Sequence, residues 1–391
     1  MRYRQLIFYL LILSAFLSAC GGKIATPAAA PSAPSPTPVP PSPTPTLLPA
    51  PTPVPTLSLT ALVWSSDPRV PILTYHQFAD DIAKRSSPVK VRKSDFRAEL
   101  ESLYAAGYSL VSLREWLDGR WIVPPGRRPL ILSMDDLFYN NQIGLTPAGE
   151  PDPNTGIGIL WQFYKEHPDF GFHLALFANL GDKLYADPGK PDWEMKLAQT
   201  IVWCLDHGAE IYNHTYTHAD LSISDANGIR WELGQNDRYL RQLLEKAGRA
   251  DLIARLGNML ALPYGREPAS AGMRKVIYAY TTPEGKAMEA VFYIDFIIRP
   301  GYFEPASPQF DPLHIPRIVA TQEAIRILSE QAASFPAPLA CTFEIEATHP
   351  DDPQAIRQGI LRAIQAKQCP AGRYFVSDQV FDLRSLAQSL P

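Results

Sequence analysis

From about Leu57 onward the chain alternates short apolar runs with longer amphipathic stretches. Val70–Tyr75, Leu130–Met134, Phe172–Ala178, Glu210–Asn213 and Met259–Leu262 read as strands. Ser94–Ala106 carries Phe96, Leu100, Leu103 and Tyr104 at helical spacing, with Ser94 as candidate N-cap. Trp193–His207 and Asn227–Ala247 read as two further helices, and Gln142–Gly158, rich in Gly, Pro, Asn and Asp, as a long loop. Strands alternating with helices predict a parallel sheet, doubly wound or closed into a barrel. Chemistry in such folds collects where strands end.

Proline divides the chain. Of 39 prolines, 13 fall between Thr26 and Thr56, where so many fixed φ angles and missing donors exclude helix and sheet. The 335 residues beyond Thr56 (391 less 56) suffice for one large domain or two smaller ones. A net charge of −4 argues against a nucleic-acid binder, and 46% hydrophobic content excludes a disordered body.

The first 20 residues read as an export signal. Arg2 and Arg4 precede the apolar run Leu6–Leu17, which is too short to span a bilayer of about 30 Å of hydrocarbon. Leu17-Ser18-Ala19-Cys20 resembles a bacterial lipobox, which implies acylation of Cys20 and an extracytoplasmic, membrane-anchored protein. Residues 21–56 would then be an extended tether reaching on the order of 100 Å. Residues 57–320 are expected to form the main domain and 321–391 an extension packed on it. Cys204, Cys341 and Cys369 remain, with Cys341 and Cys369 the expected disulfide pair; no Cys-x-x-Cys spacing is present.

The residues that follow the apolar runs carry chemistry. His76 follows the first, Asp135-Asp136 the second, His214-Thr-Tyr-Thr-His218 the fourth and Pro263-Tyr264-Gly265 the fifth. Singly, each has an ordinary structural explanation: a satisfied histidine, a turn or a cap. A His-x-x-x-His spacing can aim two imidazoles at one ion. The Tyr, Thr and Asn around it disfavour helix and place it on a strand end and loop.

Together, Val70-Pro-Ile-Leu-Thr-Tyr-His76, Leu132-Ser-Met-Asp-Asp136, Gly208–Leu221 and Leu262-Pro-Tyr-Gly265 resemble the polysaccharide deacetylases of carbohydrate esterase family 4, over roughly residues 70 to 320. The resemblance implies a deformed (β/α) barrel of the NodB-homology type. It also implies a metal-dependent hydrolase acting on carbon–nitrogen bonds other than peptide bonds. Asp135 matches the family's general base, Asp136, His214 and His218 its metal triad, and the Tyr264 N–H its oxyanion donor. Leu313-His-Ile-Pro-Arg-Ile318 is similar to a late strand of a circularly permuted subgroup in which the acid histidine comes from an N-terminal Tyr-His. His76 takes that role in the comparison, and Arg317 that of orienting the base.

Two imidazoles and one carboxylate leave an open position on a divalent ion, as catalytic zinc sites do. Cobalt, nickel and manganese suit the same donors. Adjacent side chains on an extended strand diverge, so one aspartate is expected to hold metal while the other faces water. The implied partner is an acetylated glycan outside the cytoplasm, such as peptidoglycan or poly-N-acetylglucosamine, carrying N-acetyl or O-acetyl groups.

The chain also departs from the family. Leu137 stands where a glycine is usual, no arginine precedes the Pro-Tyr turn, and Tyr293-Ile-Asp295 is a remnant of a further motif. These departures leave open a glycan-binding protein on the same fold with weak or no turnover. Glu344 and Glu346, near His349, leave open a glycoside hydrolase, although a solvated edge strand is the reading their pattern favours.

Overall fold

The computed structural model describes residues 55–388, apart from 65–68, 81–88, 182–190, 296–301, 304, 306, 349 and 378. The first elements are β1 (Thr56–Trp64), β2 (Arg69–Val70), β3 (Ile72–Tyr75), β4 (Gln77–Ala79), β5 (Lys90–Arg92), α1 (Lys93–Ala105), β6 (Tyr108–Leu110), α2 (Leu113–Leu117) and β7 (Arg128–Asp136). Then come α3 (Gly156–Glu166), β8 (Leu174–Ala178), α4 (Trp193–Asp206), β9 (Ala209–Asn213), α5 (Ala226–Lys246), β10 (Met259–Ala261) and α6 (Ala271–Tyr278). β11 (Ala290–Asp295), β12 (Tyr302–Phe303), β13 (Ile315–Val319), α7 (Gln322–Glu330), β14 (Leu339–Glu346), α8 (Pro353–Gln365), β15 (Arg373–Val376) and β16 (Gln379–Asp382) follow.

β3, β7, β8, β9, β10, β11 and β13 pair in that order, all parallel, and β13 returns to β3. The sheet is therefore a closed seven-stranded parallel barrel ringed by helices. β6 adds to it alongside β7. Alternation along each strand explains the closure. Ile72, Ile131, Ala175, Phe177, Tyr212, Met259, Ala261, Ala290, Phe292 and Ile315 come from all seven staves yet form one apolar cluster, which only the barrel interior can bring together. The alternate residues, including Leu73, Leu132, Leu174, Leu176 and Ile211, pack outward against the helices.

The inward rows change character along the strands. Ile72 is followed two residues on by Thr74 and then His76, Ile131 by Ser133 and then Asp135, Tyr212 by His214, and Ile315 by Arg317. The same period of two that fills the barrel floor with apolar groups thus gathers polar ones at the strands' C-terminal ends.

Several local expectations are revised. α1 begins at Lys93 with Arg92 at its N-cap, and Ser94 lies inside the helix; Arg92 instead pairs with Asp95 at 2.8 Å. The loop expected over 142–158 holds through Thr155, and only its last three residues belong to α3, which is capped by Thr155 Oγ1 accepting the Gly158 N–H at 3.2 Å. The two glycines at that boundary are packing requirements: a Cβ at Gly156 would meet Phe78 Cε2 at 2.4 Å, and one at Gly158 the Asp152 carbonyl oxygen at 1.8 Å.

β1 lies outside the barrel. It pairs antiparallel with β14, Thr56 opposite Glu346, and with β15, within a sheet ordered β14-β1-β15-β16. Ala61, Val63, Cys341, Phe343 and Ile345 pack against Ile356, Ile360 and Ile364 of α8, so the first described strand joins the C-terminal segment. α7, in turn, contributes Ala324, Ile325 and Leu328 to the barrel's outer core. Glu344 and Glu346 sit on the exposed face of β14, and His349 lies outside the described residues, as does Cys20. Among the described residues no helix is long and apolar enough to cross a membrane.

Cys341 and Cys369 form a disulfide spanning 28 residues, and Cys204 is buried and free. Closing a loop of that length stabilises a fold by about 3–4 kcal/mol in the chain-entropy picture. Cys341→Ala/Cys369→Ala is therefore expected to lose about that much in urea unfolding of the four-stranded unit; an unchanged midpoint contradicts it.

Candidate metal centre

The polar ends of the inward rows meet over the barrel mouth. Arg317 of β13 has no exposed surface and Asp135 of β7 only 2%. Arg317 donates to both carboxylate oxygens, Nη1 to Oδ1 at 2.6 Å and Nη2 to Oδ2 at 2.8 Å. The same Nη1 donates to Thr74 Oγ1 at 2.8 Å and to Ser133 Oγ at 3.3 Å, and the guanidinium lies over the Phe177 ring at 4.8 Å. Burial alone would raise the Asp135 pKa; the charge and hydrogen bonds of Arg317, with the neighbouring His214 and His76 rings, outweigh it and hold the carboxyl well below the usual carboxylate range. Asp135 is thus a buried anion whose charge is matched by a bidentate partner.

His214 continues the inward row of β9. Its Nδ1 lies 2.8 Å from the Ala261 carbonyl, which can only accept, so Nδ1 carries the proton and Nε2 presents a lone pair. Burial, only partly offset by Asp135, pushes its pKa down to about 3, which keeps the ring neutral. His218 Nε2 lies 3.5 Å from Asp136 Oδ1, and His214 Nε2 lies 3.7 Å from the same oxygen. The three ligand atoms of Asp136, His214 and His218 all fall within 4.8 Å of one another. Donors on a tetrahedral zinc with bonds of about 2.1 Å stand roughly 3.4 Å apart. The donor set and its spacing therefore fit a divalent ion, with the Ala261 carbonyl as the outer partner that such imidazoles need.

The two aspartates do not diverge as extended backbone would require. Asp135 Oδ2 is 3.9 Å from His214 Nε2, so both carboxylates face the same imidazole. Alternation ends at Asp136, which takes φ 77°, followed by Leu137 at φ 51°. Thr215, His218 and Tyr264 are left-handed too, at φ 65°, 56° and 60°. Such angles are unfavourable for residues with a Cβ and cluster where a site demands them.

No family model and no curated protein matches the chain. Among solved structures, a polysaccharide deacetylase (BC0361) from Bacillus cereus aligns at 17% identity and a TM-score of 0.44, over 68% of this chain and 69% of that one. A de-N-acetylase from Aggregatibacter actinomycetemcomitans aligns at 14% identity and 0.43, over 66% and 98%. The Streptococcus pyogenes deacetylase PplD, in complex with acetate, aligns at 15% identity and 0.41, over 65% and 92%. The barrel assignment above rests on this chain's own strand order.

The remaining expected residues also converge. His76 Nε2 lies 3.8 Å from Asp135 Oδ2, and burial lowers its pKa despite the neighbouring carboxylate. Its Nδ1 is buried without a hydrogen-bond partner among the described residues. The Tyr264 ring is 56% exposed and meets His218 edge-on at 4.7 Å. The Tyr264 N–H makes no backbone hydrogen bond among the described residues. His314 is engaged elsewhere, with Asp311 at 2.8 Å and the Tyr278 hydroxyl at 3.0 Å.

Sequence reasoning missed Thr74, Ser133 and Asn179, whose Nδ2 donates to Asp136 Oδ1 at 3.2 Å. Thr74 and Ser133 were visible as the polar breaks in two apolar runs; Asn179 carried no signal beyond closing one.

Removing one member of a buried pair leaves the other uncompensated, typically costing 3–5 kcal/mol. Arg317→Ala is expected to lose about that much at pH 7 in urea unfolding. In the native protein the depressed Asp135 pKa makes the pair's stabilisation complete above the unfolded pKa of about 4, and it is lost as pH falls through the folded pKa. Without Arg317, burial would raise that pKa, so acidification from pH 7 toward 4 would favour the folded variant and narrow its deficit. A deficit constant over that range contradicts the assignment.

Proposed function

We propose that the protein is a metal-dependent deacetylase that removes N-acetyl groups from an extracellular polysaccharide. The observation that carries this reading is the placement of a two-histidine, one-aspartate donor set beside a second aspartate that is buried, ionised and clamped by arginine. Asp136, His214 and His218 would hold the ion, and zinc is the metal we assign to them. Such an ion supplies Lewis acidity, polarising the acetyl carbonyl and lowering the pKa of a water.

This chain's own groups do the rest. Asp135 Oδ2, facing both His76 and His214, accepts the proton that the attacking water gives up. Arg317 keeps that oxygen in place and the carboxyl ionised beforehand. The Tyr264 N–H donates to the carbonyl oxygen as it gains charge. His76 Nε2, on the same side as Asp135 Oδ2, delivers a proton to the departing nitrogen. An amine leaves poorly without that proton, which favours N-acetyl over O-acetyl substrates. Asp135 and His76 work as a pair 3.8 Å apart.

Cys20 as lipid anchor and residues 21–56 as tether complete the proposal: a surface enzyme held off its membrane and acting on a polymer such as peptidoglycan or poly-N-acetylglucosamine. Leu137 in place of glycine supports a second reading, glycan binding without turnover. Acetate release from N-acetylated oligosaccharides in the presence of zinc separates the two. Asp135→Asn and His76→Ala are each expected to slow release by about 10²–10⁴-fold. Release at the native rate by Asp135→Asn sinks the mechanism, and glycan binding without metal or acetate release favours the second reading.

A further inference from the structure

The face that α5 turns to the barrel carries polar groups among its leucines. Glu232, Asn236 and Asp237 are all buried. Asn236 donates from Nδ2 to the Ala178 carbonyl at 2.8 Å and accepts the Leu180 N–H through Oδ1 at 2.8 Å. Asp237 accepts from Asn213 Nδ2 at 3.1 Å and from the Tyr280 hydroxyl at 2.7 Å. These two fasten the ends of β8 and β9. Glu232 reaches further, into the connection between the two imidazoles. Its Oε2 accepts the N–H groups of Tyr216 and Thr217, both at 2.8 Å, and its Oε1 accepts the Thr217 hydroxyl at 2.6 Å.

That connection takes its shape from a small set of contacts. It lies beyond the end of β9 and outside any helix, and it opens and closes on left-handed residues, Thr215 and His218. Backbone donors outside helix and sheet have no ladder to pair with and need other acceptors. Here one carboxylate supplies them for two successive residues. Other anchors hold its ends, where Asn213 Oδ1 accepts the Thr215 N–H at 2.8 Å and Thr215 Oγ1 accepts the Ala219 N–H at 3.1 Å, and the Tyr216 carbonyl accepts the Gly181 N–H at 2.7 Å.

We propose that Glu232 is a positioning residue for the metal centre. Its carboxylate fixes the turn through Tyr216 and Thr217 and thereby sets the separation at which His214 and His218 share an ion. The inference rests on the metal reading of that site. Reach and acceptor geometry matter here, and charge does not. A glutamine can accept both N–H groups through its oxygen and donate to Thr217 Oγ1 from its nitrogen. An aspartate keeps the charge but falls one methylene short.

The test is the zinc affinity of the metal-free full chain, read by competition with a chromophoric chelator, beside its thermal midpoint. Glu232→Ala and Glu232→Asp are expected to weaken zinc binding by about 10–100-fold, with Glu232→Gln within about threefold of the native chain. Glu194→Ala is the control for stability alone, because Glu194 accepts from Tyr239 and Lys246 on the same helix, groups that meet the imidazole connection through an edge contact of the Tyr239 and Tyr216 rings at 6.2 Å and not through its N–H groups. It is expected to lower the midpoint and leave zinc affinity unchanged. Native affinity in Glu232→Asp together with loss in Glu232→Gln overturns the proposal. So does an equal loss in Glu194→Ala. A native chain that takes up no zinc overturns the metal reading and this inference with it; native uptake with an unaffected Glu232→Ala overturns this inference alone.

Discussion

A guanidinium shut inside a barrel must be matched by charge and by hydrogen bonds, and Arg317 finds its match on two neighbouring strands at once. Its partners Thr74, Ser133 and Asp135 belong to the first two staves, while Arg317 itself stands on the last. The polar cluster therefore sits at the seam where the barrel closes. Either charge left alone there would cost several kcal/mol, so the pair is present together or not at all. Asp135 owes its ionised state to that arrangement, and its Oδ2 is the point toward which His76 and His214 turn. Asp135, His76 and His214 thus stand together around one ion pair, on the pleat of the strands that carry them.

The mouth of the barrel is also where the backbone is least comfortable. Five of the eight left-handed residues with side chains among the described residues are Asp136, Leu137, Thr215, His218 and Tyr264. At Leu137 strain and burial oppose each other. A left-handed leucine costs about 1–2 kcal/mol, which a glycine would avoid. The same side chain is fully buried in the outer core with Phe138 and Ile143, and truncating such a leucine costs about 2–5 kcal/mol. Burial outweighs the backbone strain, so leucine in place of glycine is compatible with a folded site.

Much of this was legible in the sequence, for a physical reason. Apolar runs ending in His76, Asp135, His214 and Tyr264 report strand ends, and parallel strands bring their ends to one face. The residues expected to meet do meet. The illegible parts depend on partners distant in the chain. β1 has the pattern of any half-buried strand, and nothing local says that Thr56 will lie opposite Glu346. Gly156 and Gly158 read as loop because close approach by Phe78 and Asp152 is invisible from composition. Glu232 looks like a solvated helix residue until the turn at Tyr216 and Thr217 is placed beneath it. The divergence expected of Asp135 and Asp136 fails because a left-handed φ follows the strand, and an aspartate carries no warning of that.

The central claim is that Asp136, His214 and His218 form one binding site for a single divalent ion. Metal content by elemental analysis, after equilibration with zinc and removal of the excess, tests it most directly. One equivalent per chain is expected in the native protein, and that equivalent should be lost in both His214→Ala and His218→Ala, with each variant still folded by circular dichroism. A native protein without stoichiometric metal, or an equivalent retained when both imidazoles are removed, would contradict it.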